Sequence, residues 1–399
     1  MSFSQGISGL AAAAANLDVI GNNIANASTA GFKSGAIAFQ DVYAGSRIGL
    51  GVGVAGISQD FSQGSVQISS RPLDLAVVDG NGFFRVTSAG GDIAYTRNGQ
   101  FTQDKDGYIV TNGGMRLTGR GVAANGSLAG GTPTALQMPT AAMTPNATAN
   151  VGAQFNLDAR SVTPTATPFS ANDSTTYNYS NALTVFDSLG NPHELAMFFI
   201  KQAAPANSWA VRTTLDGGAP ASVGPVAFDT NGALTGTSTL ALSFPAPTGA
   251  APLAISVNLA GSTQFGNTSA VKKLTQDGYA SGVMTSFAVD DNGLITGKYS
   301  NEQAKLIGQI VLSTFANPTG LQSNGGNEWT ETAASGQPLT GEPGSGSSLG
   351  AVASGKLEAS NVDLTQELVN LIIAQRGYQA NAQTLKTQDQ VMQALVNLR

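Results

Sequence analysis

The sequence predicts a mainly β protein: antiparallel, hairpin-rich β domains nested one inside another, with a coiled-coil-type α-helix at each end. Three observations carry that prediction. Apolar residues follow heptad spacing only in the first and last stretches, alternation with period two fills the middle, and Asn-Gly or Asp-Gly pairs separate the alternating runs. At 399 residues the chain is long enough for two or three domains, taking about 100 to 200 residues for each.

The first element is a helix over about 25 residues, or about 37 Å. Phe3, Ile7, Leu10, Ala14, Leu17, Gly21 and Ile24 are spaced 4, 3, 4, 3, 4, 3, the seam of a coiled coil. Ser2 with Gln5 has the form of a capping box, and Ser28, Thr29 and Gly31 supply the stop. The last element repeats the pattern through Leu364, Leu368, Leu371, Gln375, Tyr378, Ala382, Leu385, Asp389, Met392 and Val396. Asp363 with Gln366 caps it, Glu367 suits its first turn, Arg399 suits its last, and its length is about 55 Å. Gly377, costing about 1 kcal/mol in a helix interior, is a candidate for close helix approach. A stripe this narrow needs a partner, either the other terminal helix or a neighbouring subunit.

Between the helices, strands are expected at Leu73–Val78, Phe83–Thr87, Ile93–Thr96, Tyr108–Thr111, Leu183–Phe186, Leu195–Ile200, Trp209–Thr213, Leu253–Leu259, Met284–Val289 and Leu306–Phe315. Turns fall at Asn81-Gly82, Asn98-Gly99, Asp106-Gly107, Asn112-Gly113, Asn231-Gly232 and Asn292-Gly293. Pro/Ala/Thr/Gly-rich tracts at Gly130–Ala149 and Asn258–Lys273 read as boundaries, and Gly341–Gly350 reads as a flexible linker. The expected organisation is 1–30 with 361–399 as a helical assembly domain, 31–70 as a linker, 71–145 with 278–360 as a first β domain, and 146–277 as an inserted outer β domain.

Composition narrows the chemistry. With no cysteine, disulfides, thiolate metal sites and cysteine nucleophiles are excluded, and a lone His193, expected on the surface near the start of a strand, argues against a histidine metal site or a catalytic triad. A net charge of −6 with 19 scattered basic residues lacks the basic stripe of a nucleic-acid binder. No apolar run spans a bilayer, and the N-terminus lacks the charged and apolar regions of a cleaved signal. Cysteine avoidance fits life outside the cytoplasm. Gly51-Val-Gly-Val-Ala-Gly56 has the letters of a dinucleotide fingerprint but runs on into alternation instead of a helix, so Ile48–Ile57 is either an adaptable link or a hairpin. Ala30-Gly-Phe-Lys-Ser34 is not a phosphate loop, and Asp290 with Asn292 lacks the Gly and Glu of a calcium loop. No catalytic, cofactor-binding or metal-binding residues are assigned.

Met1-Ser-Phe-Ser-Gln-Gly-Ile-Ser-Gly-Leu, Leu17-Asp-Val-Ile-Gly-Asn-Asn-Ile-Ala-Asn26 and Thr29-Ala-Gly-Phe-Lys33 resemble the N-terminal signature of the bacterial flagellar rod and hook axial proteins. Leu357-Glu-Ala-Ser-Asn-Val-Asp-Leu and Ala374-Gln-Arg-Gly-Tyr-Gln-Ala-Asn381 resemble their C-terminal signature. Arg71-Pro-Leu-Asp-Leu-Ala-Val-Val, Asn81-Gly-Phe-Phe and Arg97-Asn-Gly-Gln-Phe101 are similar to their shared β domain, and the long insert is similar to the hook branch of the family. The resemblance implies a non-enzymatic subunit, free of cofactors, that assembles with itself into a curved, hollow helical tube. That tube acts as a universal joint, transmitting torque from rod to filament and passing exported subunits. It also implies contacts with the distal rod, hook cap and first hook–filament junction proteins, and export by the flagellar type III apparatus to the extracellular hook. The alternatives are a distal rod subunit and, more remotely, a secreted glycan-acting enzyme or adhesin. The expected assembly interface is the signature residues Asn22, Asn23, Asn26, Gly31 and Phe32 with the seam residues Ile7, Leu10, Leu17, Ile24, Leu364, Leu368, Leu371, Tyr378, Leu385, Met392 and Val396.

Overall fold

In the computed structural model the described residues are 3–42, 51–123, 125–246 and 249–397. The expected roles of Ser2, Ile48–Leu50 and Arg399 lie outside them, as does the side chain of Val396. The chain divides into two compact units, one of Met1–Thr140, Ser286–Gly297 and Ala304–Arg399, the other of Ala141–Thr285 and Lys298–Gln303. The second is wider than the 146–277 expected, because the segments leading in and out are themselves bridged at Met143 with Gly282 and Asn146 with Tyr279.

The first unit begins with α1 (Phe3–Ala25) and ends with α2 (Leu364–Asn397), which pack on each other. Asp363 caps α2, its Oδ1 accepting from the Thr365 and Gln366 amides at 2.9 and 3.2 Å. The reciprocal half of the capping box is absent, since the Gln366 side chain donates forward to Asn370. Residues 31–70 are more than a linker. Strands Gly35–Asp41 and Val52–Gln59 form an antiparallel hairpin packed on α1, so Gly51–Ile57 belongs to a hairpin and not to a nucleotide loop. Between the helices lies an antiparallel sheet whose aromatic core joins Phe83, Tyr95, Phe315, Leu321 and Trp329, with Phe61 edge-on to Phe83 and Trp329. The indole of Trp329 donates to Gln59 Oε1 at 2.6 Å, so the buried ring is not left with an unmet donor. Burial, with Glu331 beside it, pushes the Tyr95 phenol up to about 12.

The strands expected at Phe83–Thr87, Ile93–Thr96 and Met284–Val289 form at those bounds, while Leu306–Phe315 breaks into Ala304–Ile310 and Leu312–Thr314. Two expected turns are something else. Gly99 is required by proximity, because a Cβ there would stand 1.5 Å from the Leu75 carbonyl, and Gly82 lies against Leu349 in the same way. Nor is Gly341–Gly350 a free linker. Gly82 donates to Leu349 and Asn81 to Ser348, after which Ala351–Ser354 pairs antiparallel with Leu75–Val78. Buried apolar side chains on both strands outweigh the Gly/Ser flexibility beside them.

The second unit has two sheets around one core. A five-stranded antiparallel meander runs Tyr179–Phe186, Pro192–Lys201, Ser208–Leu215, Ala221–Phe228 and Leu234–Thr235. The other sheet pairs Asn150–Asp158 with Leu253–Asn258, Thr263–Phe265 and Ala270–Gln276, with Thr239–Phe244 at its edge. Asn258–Lys273 is therefore part of the fold and not a boundary. Two pairings of Asn150–Asp158 are parallel, unlike the antiparallel pairings of the meander. Alternate residues point inward on both sheets: Val151, Ala153, Phe155 and Leu157 meet Leu195, Met197, Phe199, Trp209 and Val211. Asp229 and Asp290, whose surrounding sequences are alike, each accept two backbone amides of their own turn, a hairpin device with no need of a cation.

Candidate functional site

The helix pair closes only partly on the expected seam. On α2 the buried and half-buried positions are Glu367, Asn370, Leu371, Ala374, Tyr378, Asn381, Ala382, Thr384, Leu385 and Gln388. Leu371, Tyr378, Ala382 and Leu385 are among them as predicted, whereas Leu364, Leu368, Gln375, Asp389 and Met392 are exposed. On α1 the buried residues are Gly6, Ala12, Ile20 and Asn23, with Gly9 and Asn16 half-buried. A Cβ on Gly6 would make an ordinary contact, 3.7 Å from Leu385 Cδ1, while one on Gly9 would lie 3.1 Å from the Asn381 amide, so Gly9 marks the close approach of the helices. Gly377, the candidate for that role, is exposed and faces open space.

Small and polar residues thus share the seam with Ile20, Leu371, Tyr378 and Leu385, and other large apolar side chains are left outside it. Leu364, Leu368 and Ile372 form an i, i+4, i+8 ridge on α2, with Val369 and Ile373 beside it, all exposed. Phe3 and Ile7 on α1 and Met392 on α2 are also exposed, while Leu10, Leu17 and Ile24 are half-buried.

The signature asparagines work inside the chain. Asn23 is 2% exposed. It pairs with the backbone of Gly35 in both directions, Nδ2 donating to the carbonyl at 2.9 Å and Oδ1 accepting the amide at 2.8 Å, and so docks α1 on the hairpin. Asn26 donates to the Asn22 carbonyl at 3.0 Å, ending α1, and Thr29 donates its hydroxyl to Asn26. Asn22 and half-buried Phe32 line one cleft with Val19 and Ile57. Gly31 is buried at φ +69°, with its amide donating to the Glu358 carbonyl at 2.8 Å, and a Cβ there would fall 2.5 Å from the Asn98 nitrogen.

Next to Gly31 is a group that spacing does not point to. Lys33 Nζ is 2.6 Å from Glu358 Oε1, and Arg97 Nη1 is 3.1 Å from Glu358 Oε2, with all three side chains essentially inaccessible. Lys33 also donates to the Ser62 carbonyl, Arg97 to the Gly80 carbonyl, and the Gly64 amide to Glu358. Burial lowers the Lys33 ammonium and the Arg97 guanidinium from their ordinary values, against the opposing pull of Glu358. Asn361 continues the tie, accepting from the Ser34 amide and donating to the Asp60 carbonyl. Each of the three family motifs contributes one charge: Lys33 ends the N-terminal signature, Arg97 opens the Arg-Asn-Gly motif, and Glu358 sits in the C-terminal one. The cluster joins the exit of α1, the β domain and the lead into α2.

Family models match along the chain: the flagella basal body rod protein family at 4–33, the D1 domain of flagellar hook protein FlgE/F/G at 77–158, the D2 domain of flagellar basal body protein FlaE at 156–279, and the C-terminal domain of flagellar basal body rod FlgEFG proteins at 353–398. Rod-type helical ends around hook-type β domains define a flagellar axial protein. The chain is 46% identical over 410 residues to the flagellar hook protein FlgE of Escherichia coli strain K12, covering all of both chains. It is 35% identical to that of Borreliella burgdorferi, over all of this chain and 99% of the other. It belongs to the flagellar hook protein family, a family of structural proteins. The crystal structure of Helicobacter pylori flagellar hook protein FlgE2 shares the fold at a TM-score of 0.53 and 15% identity, across 73% of this chain and 99% of that one. No helix among the described residues is long and apolar enough to cross a membrane.

Proposed function

We propose that the chain is the repeating subunit of a curved, hollow hook tube that passes torque from rod to filament, and that it assembles through the outward faces of α1 and α2. The observation that carries this is the exposed ridge of Leu364, Leu368 and Ile372 on α2, outside the seam with α1. Five large aliphatic side chains within about three turns of one helix are far more than a solvated face requires. A head-to-tail contact whose rotation does not close builds a helical tube and buries such a face in every subunit. Ile7, Leu10, Leu17, Ile24, Leu364, Leu368 and Met392 carry this interface, while Asn22, Asn23, Asn26, Gly31 and Phe32 support it from within the subunit. The partners at the tube's ends are the distal rod, hook cap and first junction proteins, and the subunit reaches them through the flagellar export apparatus.

Concentrating the purified chain and imaging the product tests the proposal. Curved hollow tubes are expected; a monomer at every concentration, with and without a cap protein, would overturn it. The same reading makes the helix pair the least stable part of the free subunit, because its seam buries so little apolar surface. In hydrogen exchange on the monomer, amides of 3–25 and 364–397 are expected to exchange far faster than those of Phe83–Thr87 or Leu195–Ile200. Equal protection in both regions would remove the argument.

A further inference from the structure

His193 lies at the end of the inward stripe of strand Pro192–Lys201, followed on the same face by Leu195, Met197 and Phe199. Its Nδ1 is 2.6 Å from Asp216 Oδ2 and its Nε2 is 3.3 Å from Asp187 Oδ2. Each ring nitrogen faces an acceptor, so both contacts are made only when both nitrogens carry a proton. The two carboxylates belong to different turns. Asp187 opens the turn into the histidine's own strand, and Asp216 follows strand Ser208–Leu215. Glu194, next along the strand, is exposed on the opposite face, where its amide donates to Asp216 Oδ1 at 2.8 Å.

The Asp187 turn packs where the chain enters and leaves the second unit. Gly190 has φ +85°, and a Cβ on it would stand 2.7 Å from Pro145 Cβ and 3.3 Å from Ala280 Cα. Pro145 and Ala280 belong to the two segments bridged by Asn146 with Tyr279 and Met143 with Gly282, the neck of this unit. Asp187 is fully buried and holds its own turn through the Leu189 and Asn191 amides and the Asn191 side chain.

We propose that His193 is a proton-operated latch: as an imidazolium it ties the turn seated on the neck to the Asp216 turn, and on losing its proton it lets the neck turn go. A neutral ring keeps one donor. It stays with the shorter Asp216 contact, and the Asp187 contact opens, leaving a buried carboxylate facing a ring lone pair.

The directions of titration agree with this geometry. The hydrogen bond to Asp216 raises the imidazole above its ordinary value, helped by Asp187 and opposed by burial. Burial alone would raise Asp187, but bonds from Asn191, His193 and the Leu189 amide outweigh it and hold the carboxyl at about 2. A base whose folded-state value is raised contributes its stability in full below the unfolded value near 6.5, and loses it as pH rises through the folded value. The latch is therefore closed below about 6.5 and opens as pH rises through the raised folded-state value.

This is the chain's one histidine, so its ring resonances are unambiguous in a proton–carbon NMR titration of the full-length monomer. The expected midpoint lies above 6.5, and the Gly190 and Ala280 amide resonances shift with that same midpoint. In His193→Gln those two amides should show no titration between pH 6 and 9, and in His193→Lys they should stay at their low-pH positions. A midpoint at or below 6.5 overturns the latch, as do neck amides that ignore the wild-type titration. The readouts come from the monomer, so they stand or fall separately from the assembly proposal.

Discussion

Glu358→Gln is expected to destabilise the first unit by about 3–5 kcal/mol, the cost of removing one partner from a buried ion pair. The substitution leaves the shape of the side chain almost unchanged and strands two cations, Lys33 and Arg97, that have no access to water. Lys33, already lowered by burial, sheds its proton most readily; the guanidinium of Arg97 has no such escape. Calorimetry of the full-length chain should show one transition falling by about 6 to 20 °C. The transition of the second unit should stay in place, because its core of Phe155, Leu195 and Trp209 is separate. Replacing all three charges by apolar residues of similar volume should recover most of the loss, since desolvating an ion pair offsets much of its attraction. If the single variant melts within about 2 °C of wild type in both transitions, the cluster is not what holds the helix exits to the β domain.

How far the sequence reveals such a site depends on the range of the interactions involved. Glu358 is 261 residues from Arg97 and 325 from Lys33, and no periodicity links residues so far apart. All three nevertheless lie in motifs that carry the family resemblance. A buried charge in a long signature is the signal that could have found them. The helices themselves were readable because heptad spacing is local. Their inward faces were readable only in part: Leu371, Tyr378 and Leu385 lie where the apolar pattern puts them, but the close approach of Gly9 to Asn381 carries no apolar signal. In the insert, Val151, Ala153, Phe155 and Leu157 alternate plainly and mark a strand, as do Leu240, Leu242 and Phe244. Their setting of Thr, Ala, Gly and Pro hid them, since that composition resembles a connecting tract.

Leu368→Asp combined with Ile372→Asp is expected to abolish tube formation while leaving the monomer as stable as wild type. The two side chains are 45% and 51% exposed in the subunit, so their loss removes little intramolecular packing. In the tube each would lose its contact with water. Fully burying an aliphatic side chain of this size contributes about 1.5–3 kcal/mol, and about half of each remains to be buried, so the pair accounts for about 1.5–3 kcal/mol of each subunit's addition. At about 1.4 kcal/mol per tenfold, the critical concentration should rise by about 10- to 100-fold, before the added cost of burying two carboxylates. Leu371→Asp separates this from general damage to α2. Leu371 is half-buried in the seam facing α1, so its replacement should loosen the helix pair in the monomer, which the outward variants do not. Sedimentation of mixtures across a concentration series reads both quantities. Wild-type polymerisation by the Leu368/Ile372 variant would move the interface off this ridge, and Phe3 and Ile7 on α1 would be the next exposed apolar side chains to test.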